Sequence, residues 1–149
     1  MMTEQSHNFD SPKALVSAMV TAARQAQKTL GQSPYDARRS ALLKSAELIR
    51  AHADAIITTN GKDVKKASEN GITTAFIDRL TMNAERVEAM AAGLESIASL
   101  DDPIGRELAR WQPPNGLDIA RVSTPLGIIG IIYESRPNVT VDAAALCLI

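Results

Sequence analysis

The stretch PLGIIGIIYESRPNVT, residues 125–140, decides the fold that this sequence predicts. Residues 128–133 are apolar on both faces, which is typical of a strand buried in a parallel sheet between helices. A polar group follows this run: Glu134, Ser135, Arg136 and Asn138. An Ala-rich helical pattern then begins at Val139. A buried strand that passes into a helix predicts an α/β fold, with the polar group at the ligand-binding end of the strand.

The residues before this stretch predict several helices and one β-hairpin. The helices are expected at 12–30, from Tyr35 to about Ile57, from an Asn60 cap to Glu69, at 73–80, and from an Asn83 cap to about residue 100. The arginines of the second helix are interpreted as solvated. Two short β-type runs flank the turn sequence Pro113–Gly116, which predicts the hairpin. Residues 1–11 are polar, and we expect them to be disordered.

Composition excludes several functional classes for this chain of 149 residues. A net charge of −1 argues against nucleic-acid binding, and no apolar run has the length of a membrane span. The single cysteine, Cys147, excludes an internal disulfide. His7 and His52 lack the spacing of metal ligands, so no metal site is expected. With no apolar signal-peptide core, the sequence predicts a cytoplasmic protein.

The residues themselves leave the chemistry of the polar group open. Asn138 is a candidate donor to an oxyanion, or simply a helix cap. Arg136 fits an anionic substrate or an ordinary surface charge. Cys147, in an apolar helix with no cation nearby, is interpreted as a buried structural thiol and not as a nucleophile. The glycines of Gly127-Ile-Ile-Gly130 open the predicted strand, so they do not form a dinucleotide fingerprint.

The block YESRPNVTVDAA, with the helical stretches before it, resembles the glutamate-5-semialdehyde dehydrogenases, also called gamma-glutamyl phosphate reductases. This family belongs to the aldehyde dehydrogenase superfamily, and the resemblance covers residues 12–148. It implies that residues 12–149 are part of an NADP-binding domain: the N-terminal helices, an oligomerisation hairpin at about 105–124, and the first strand-helix unit. The catalytic domain is expected to be absent. We therefore expect this chain to be an N-terminal piece of a longer protein.

The resemblance also implies an activity, the NADPH-dependent reduction of gamma-glutamyl phosphate to glutamate 5-semialdehyde in proline biosynthesis. A cysteine thiolate attacks the acyl phosphate in this family, and no position here matches that cysteine. Asn138 matches the residue that stabilises the oxyanion, while Glu134, Ser135, Arg136 and Pro137 are expected to line the cofactor and substrate pocket. A homo-oligomer and a functional link to glutamate 5-kinase are also implied. The chain alone is predicted to be inactive.

Two further hypotheses remain at this point. The chain could be a non-catalytic helical module whose hairpin associates with another subunit. It could also assemble with a separately encoded C-terminal half.

Overall fold

The computed structural model describes residues 11–149, and the disorder expected for residues 1–11 lies outside that range except at Ser11. The elements in chain order are α1 Pro12–Leu30, α2 Tyr35–Ala51, α3 Ala53–Glu69, α4 Thr74–Leu80, α5 Ala84–Ala98, β1 Glu107–Trp111, β2 Ile119–Val122 and α6 Pro137–Leu148. No helix within the described range is both long enough and apolar enough to cross a membrane.

Two predicted helix caps are confirmed. The Ser11 hydroxyl accepts a hydrogen bond from the Ala14 N–H at 3.2 Å, and Pro12 occupies the first turn of α1. The Asn83 side chain accepts from the Arg86 N–H at 2.8 Å and begins α5. In both cases a side-chain oxygen satisfies an N–H group that has no partner within the helix, so a local signal was enough.

The predicted cap at Asn60 is wrong, because Asn60 lies inside α3. The predicted second helix instead ends at Ala51, and His52 separates it from α3. The Asn60 side chain is buried and joins α3 to the connection between α4 and α5. Its Nδ2 donates to the Leu80 carbonyl at 2.8 Å, and its Oδ1 accepts from the Met82 N–H at 2.6 Å. A tertiary contact therefore uses the amide that local sequence assigned to a cap.

The core lies where α2, α5 and α6 pack together. Its buried residues are small or aliphatic: Leu42, Ala46, Ala91, Leu94, Ala98 and Ala145. Since four of these are alanines, the helix backbones approach closely, and each leucine fills the space between them. A second cluster of Met82, Val87 and Met90 continues the core toward α3. Helix α5 contributes to both clusters and is the central element of the molecule.

The N-terminal turn of α2 is joined to the ends of α5 and α6 by arginines. Arg38 is buried, and its Nη2 donates to both carboxylate oxygens of Asp102 at 2.9 Å. Its other terminal nitrogen donates to the carbonyl of Ile149. Arg39 donates to the Ala98 carbonyl at 3.1 Å. The interpretation of Arg38 as a solvated residue is therefore wrong, because it neutralises charge and carbonyl dipoles at two helix ends.

The hairpin is confirmed, and the parallel strand is not. Strands β1 and β2 pair antiparallel, with Trp111 opposite Ile119, and Gly116 adopts φ +83° in the turn. Residues 128–133 form no strand within the described chain. A strand requires a neighbour to bond its N–H and C=O groups, and no neighbouring strand is present in residues 11–149. The apolar run is consequently exposed, with Ile132 fully accessible.

Candidate functional site

The polar group before α6 forms a sharp turn into the helix. Ser135 has φ +52° and is the one non-glycine residue with positive φ among those described. Arg136 is the N-cap of α6, and Pro137 occupies the first helical position. The Tyr133 hydroxyl lies 2.6 Å from that of Thr140, which attaches the exposed segment to the helix. Left-handed backbone at a serine is unfavourable, so this turn is held by its surroundings.

Asn138 does not cap α6, and that alternative is wrong. Arg136 is the N-cap, and it makes no side-chain cap hydrogen bond. The Asn138 amide donates instead to Asp142 Oδ2 at 2.9 Å, one helical turn further along. A primary amide has two N–H groups. One of them is used by Asp142, so the second is left to donate to a ligand.

Arg136 and Asn138 line a cavity of about 360 Å³ between α6 and the connection from α4 to α5. The other charged residues around it are Asp78, Arg79, Arg86 and Asp142. Met82 and Met90 provide apolar surface from the second core cluster. The volume lies in the range of small-molecule sites, and the lining contains charges of both signs.

The three arginines at this cavity differ in how many hydrogen bonds and ion pairs they make with other residues of the chain. Arg86 donates to the carbonyls of Asp78 and Thr81 and pairs with the Asp78 carboxylate at 3.0 Å. Arg79 donates through Nε to the Ala75 carbonyl at 3.1 Å, and its guanidinium lies 4.6 Å from the centre of the Phe76 ring. Arg136 forms no ion pair with the described residues. Arg136 and the terminal nitrogens of Arg79 are thus the donors open to an anion.

The remaining predicted site residues lie elsewhere. Glu134 and Ser135 line a separate cavity of about 310 Å³, formed with Gly71, Phe76 and the connection from α3 to α4. Pro137 lines neither cavity and serves as the first residue of α6. The predicted group is therefore divided by the sharp turn at Ser135, and only Arg136 and Asn138 face the larger cavity.

The prediction of a buried Cys147 is wrong, because its side chain is exposed. Helix α6 packs on the core through Val141, Ala145 and Leu148, which are spaced at three and four residues. Cys147 is on the opposite side, beside a smaller cavity bordered by the segment that begins at Pro125. Among residues 11–149 no group of histidine, cysteine and carboxylate side chains could hold a metal ion. His7 lies outside the described residues.

Gly127 and Gly130 do not form the cradle that holds the pyrophosphate in a glycine-rich site for a nicotinamide dinucleotide. Glycines in such a site let the backbone approach the pyrophosphate closely. A Cβ atom added at Gly127 or Gly130 would meet no atom within 4 Å. No other part of the described chain therefore packs closely against the backbone at these two glycines. Gly127 is needed for its backbone, which has φ +96°. Of the three cavities described, the 360 Å³ cavity is the one that combines open arginines with the free N–H of Asn138.

Sequence reasoning did not find Asp142, Arg79 or Arg86. The contact between Asp142 and Asn138 could have been predicted, because the two residues are four positions apart and therefore lie on the same helix face. No local pattern predicts the two arginines. They lie about fifty residues before the polar group, on α4 and at the start of α5, and only tertiary packing brings them to it.

Comparison with known proteins shows which family this chain is similar to. The sequence matches the aldehyde dehydrogenase family over residues 5–133. It is 52% identical over 135 residues to the gamma-glutamyl phosphate reductase of Paramagnetospirillum magneticum, covering 91% of this chain and 32% of that protein. The corresponding reductase of Rhodospirillum rubrum is 55% identical over 126 residues, covering 85% of this chain and 30% of that protein.

Solved structures agree with these similarities. The crystal structure of gamma-glutamyl phosphate reductase from Thermotoga maritima matches 89% of this chain and 32% of its own, with a TM-score of 0.84 at 38% identity. The Saccharomyces cerevisiae enzyme of the same name matches 91% of this chain and 34% of its own, with a TM-score of 0.82 at 29% identity. This chain spans about a third of the length of these relatives. The helices, hairpin and α6 have an aldehyde dehydrogenase-like fold, and the chain belongs to the aldehyde dehydrogenase family.

Proposed function

We propose that this chain forms part of an NADPH-dependent gamma-glutamyl phosphate reductase. The activity would convert L-glutamyl 5-phosphate to L-glutamate 5-semialdehyde and phosphate, a step of proline biosynthesis in the cytoplasm. The observation that carries the proposal is identity of about half the residues to reductases of that name over nearly the whole chain. The acyl phosphate would come from a kinase acting on the side-chain carboxylate of glutamate, which is the functional link to glutamate 5-kinase that the family resemblance implies.

In this proposal Asn138 donates to the oxyanion that develops when the acyl carbon is attacked. Its amide is held by Asp142 and retains one free N–H, so it can stabilise negative charge without reorienting. Arg136 would line the same pocket, Pro137 would begin the helix that carries Asn138, and Glu134 and Ser135 would lie beside the pocket, on the other side of the turn. The nucleophilic cysteine and most of the NADP site would come from the two thirds of the relatives' length that this chain does not span.

The hairpin is proposed to be an oligomerisation arm. Leu108 and Trp111 on β1 and Val122 on β2 are about half exposed. Both outer edges of the two-stranded sheet are unpaired within the described chain. An isolated hairpin is marginally stable in water, and its open edges can pair with another chain. A second subunit would bury the apolar side chains and bond these edges.

The test uses two proteins, the chain alone and a chimera. In the chimera residues 12–149 replace the matching third of the Rhodospirillum rubrum reductase. NADP reduction is measured with glutamate 5-semialdehyde and phosphate, the reverse of the proposed reaction. We expect turnover by the chimera and none by the chain alone. A folded chimera without turnover would contradict the proposed function.

Asn138→Ala in the chimera tests the oxyanion role. Loss of one oxyanion donor typically lowers kcat by about 10²–10³. We expect a decrease of that size with little change in either KM. The matched control is Asn70→Ala, at the end of α3 and outside the cavity. Equal kcat values for the two variants would exclude Asn138 from the chemistry.

A non-catalytic interaction module is the second candidate, and the exposed Trp111 favours it. Size-exclusion chromatography of the chain with circular dichroism distinguishes the candidates. A monodisperse oligomer that melts cooperatively, and that Trp111→Ser converts to monomer, would support the module if the chimera also has no turnover, because the proposed enzyme uses the same hairpin. Recovery of reductase activity on coexpression with the relatives' remaining two thirds would instead support assembly into an enzyme.

A further inference from the structure

The charged lining of the 360 Å³ cavity contains a pair of groups of opposite sign that face the same space. Arg136 lies at the N-cap of α6, and Asp142 lies on the second turn of the same helix. Asn138, which lies between them in sequence, bonds to Asp142 Oδ2. Asp142 Oδ1 accepts no hydrogen bond from the described residues. It lies beside Gly93 of α5, where a Cβ atom added to the glycine would be 3.8 Å from this oxygen. One open cation and one open anion thus border a single cavity.

Other donors strengthen the cationic side. Arg79 contributes terminal nitrogens that bond to no described residue, while the Phe76 ring holds its guanidinium in place. The terminal nitrogens of Arg86 already donate to the Asp78 carboxylate and to two backbone carbonyls. Arg86 therefore neutralises the charge of Asp78 and is not counted among the donors to a ligand. The N-terminus of α6 has no side-chain cap and adds a positive dipole. This side of the cavity therefore favours an anionic group such as a carboxylate.

We propose that this cavity binds the α-amino acid head group of the substrate. Arg136 and Arg79 bind the α-carboxylate, and Asp142 binds the α-ammonium. This inference rests on the proposed function, because it places the head group of a glutamyl substrate here and leaves the reacting acyl carbon toward the free N–H of Asn138. A purely anionic ligand would gain nothing from Asp142 and would be repelled by it.

The charge arrangement also predicts which compounds are rejected. A carboxylate without the ammonium leaves Asp142 unpaired, and an amine without the carboxylate leaves two guanidinium groups unpaired. A hydrogen bond to a charged group contributes enough that loss of one partner weakens binding about tenfold or more. Met82 and Met90 contact the aliphatic part of a ligand and do not discriminate by charge.

Binding to the 149-residue chain tests the inference without catalysis. The probes are L-norvaline, which carries the head group on an apolar side chain, pentanoate, which lacks the ammonium, and inorganic phosphate. Titrations are followed by ¹H–¹⁵N NMR at the Asn138 side-chain amide and at the backbone amides of α6. We expect saturable binding of L-norvaline and binding of pentanoate at least about tenfold weaker. Tighter binding of phosphate than of L-norvaline, or no saturation by L-norvaline, would overturn the proposal.

Variants identify the two charges separately. Arg136→Met and Asp142→Asn should each weaken L-norvaline binding about tenfold or more, and only Arg136→Met should weaken pentanoate. Arg24→Met and Asp63→Asn are matched controls on exposed helix faces away from the cavity, and their binding should not change. Should Asp142→Asn unfold the chain, Asp142→Glu keeps the charge but displaces it, and weaker L-norvaline binding is again expected. Unchanged binding by a folded Asp142 variant would overturn the assignment.

The chimera provides an independent readout. There Arg136→Met should raise the KM for glutamate 5-semialdehyde about tenfold or more and leave the KM for NADP unchanged. The two failures are distinguishable. An inactive chimera whose chain still binds L-norvaline contradicts the proposed function alone, whereas an active chimera with unchanged KM in Arg136→Met contradicts the head-group site alone.

Discussion

Helix α5 and residues 125–133 are both strongly apolar in sequence, yet they reach opposite states. Helix α5 buries Val87, Met90, Ala91, Leu94 and Ala98 between α2, α3 and α6. The segment at 125–133 exposes most of its side chains, with Leu126 at 89% and Ile132 at 103% of full accessibility. Apolar composition alone therefore does not determine burial in this chain.

The difference lies in where each element finds its backbone hydrogen bonds. A helix bonds its own N–H and C=O groups, so α5 needs only neighbours for its side chains. An extended segment cannot do this and needs a paired strand. Residues 11–149 provide no such strand next to the segment, so its apolar side chains have no sheet in which to be buried. Helices can complete a core within a third of the relatives' length, whereas a parallel sheet requires elements that are distant in sequence.

The largest expected effect comes from deleting the same kind of side chain in the two regions. Leu94→Ala, at a position only 3% exposed, should lower the free energy of unfolding by about 2–5 kcal/mol through the cavity it leaves. Ile132→Ala, at the fully exposed position, should change it by no more than about 0.5 kcal/mol. Urea unfolding of both variants gives the values. A large loss at Ile132 would mean that the segment packs in solution.

A smaller effect is expected at Asn60, which attaches α3 to α5 through the α4–α5 connection. Asn60→Ala leaves the Leu80 carbonyl and the Met82 N–H without their partner and should cost about 1–3 kcal/mol. Asn70→Ala, at the exposed end of α3, is the matched control and should cost less. The comparison of urea midpoints checks this. Equal losses would show that the buried amide contributes no more than a surface one.

The smallest effect concerns the ion pairs that join α2 to α5. Arg50 donates to the carboxylates of Glu88 and Glu95 and lowers the pKa of each. The same contacts raise the pKa of Arg50. Since both folded carboxyl pKa values lie below the unfolded ones, their stabilisation is present above about pH 4.3 and is lost as the pH falls through the folded values.

Arg50→Met should therefore make the free energy of unfolding less dependent on pH below about 4.3. Added salt should reduce the wild-type dependence as well, since the pairs are accessible to solvent. Arg38 similarly lowers the pKa of Asp102, followed in importance by the Ile104 N–H, so part of the acid dependence should survive in Arg50→Met. Arg24→Met is the control. An identical pH profile for Arg50→Met and wild type would contradict the assignment.

Much of the fold was predictable because its signals are local. The caps at Ser11 and Asn83 and the hairpin turn at Pro113–Gly116 each involve residues within a few positions of one another. The errors at Asn60 and Cys147 have the opposite origin. Whether an amide caps a helix or bonds to another element, and which side of α6 faces the core, depends on partners that are distant in sequence.

The candidate site, too, was predictable where its signals are local and unpredictable where it depends on tertiary structure. The sequence drew attention to Arg136 and Asn138, and both line the largest of the three cavities described. It also grouped them with Glu134 and Ser135, which the left-handed turn at Ser135 directs to a different cavity. The positive φ angle at Ser135 separates the pair Glu134 and Ser135 from the pair Arg136 and Asn138. A serine in the sequence does not predict such an angle.

By itself the sequence determined the family, the helices and the hairpin, because family blocks, caps and turn residues act over short distances along the chain. The tertiary structure alone decided that Arg79 lines one cavity with Arg136 and Asp142, and that residues 128–133 pair with no strand within residues 11–149. The cavity and the unpaired segment have the same physical reason. Contacts between distant elements depend on which surfaces pack and on which partners are present to bond the backbone, and neither is encoded in a local pattern.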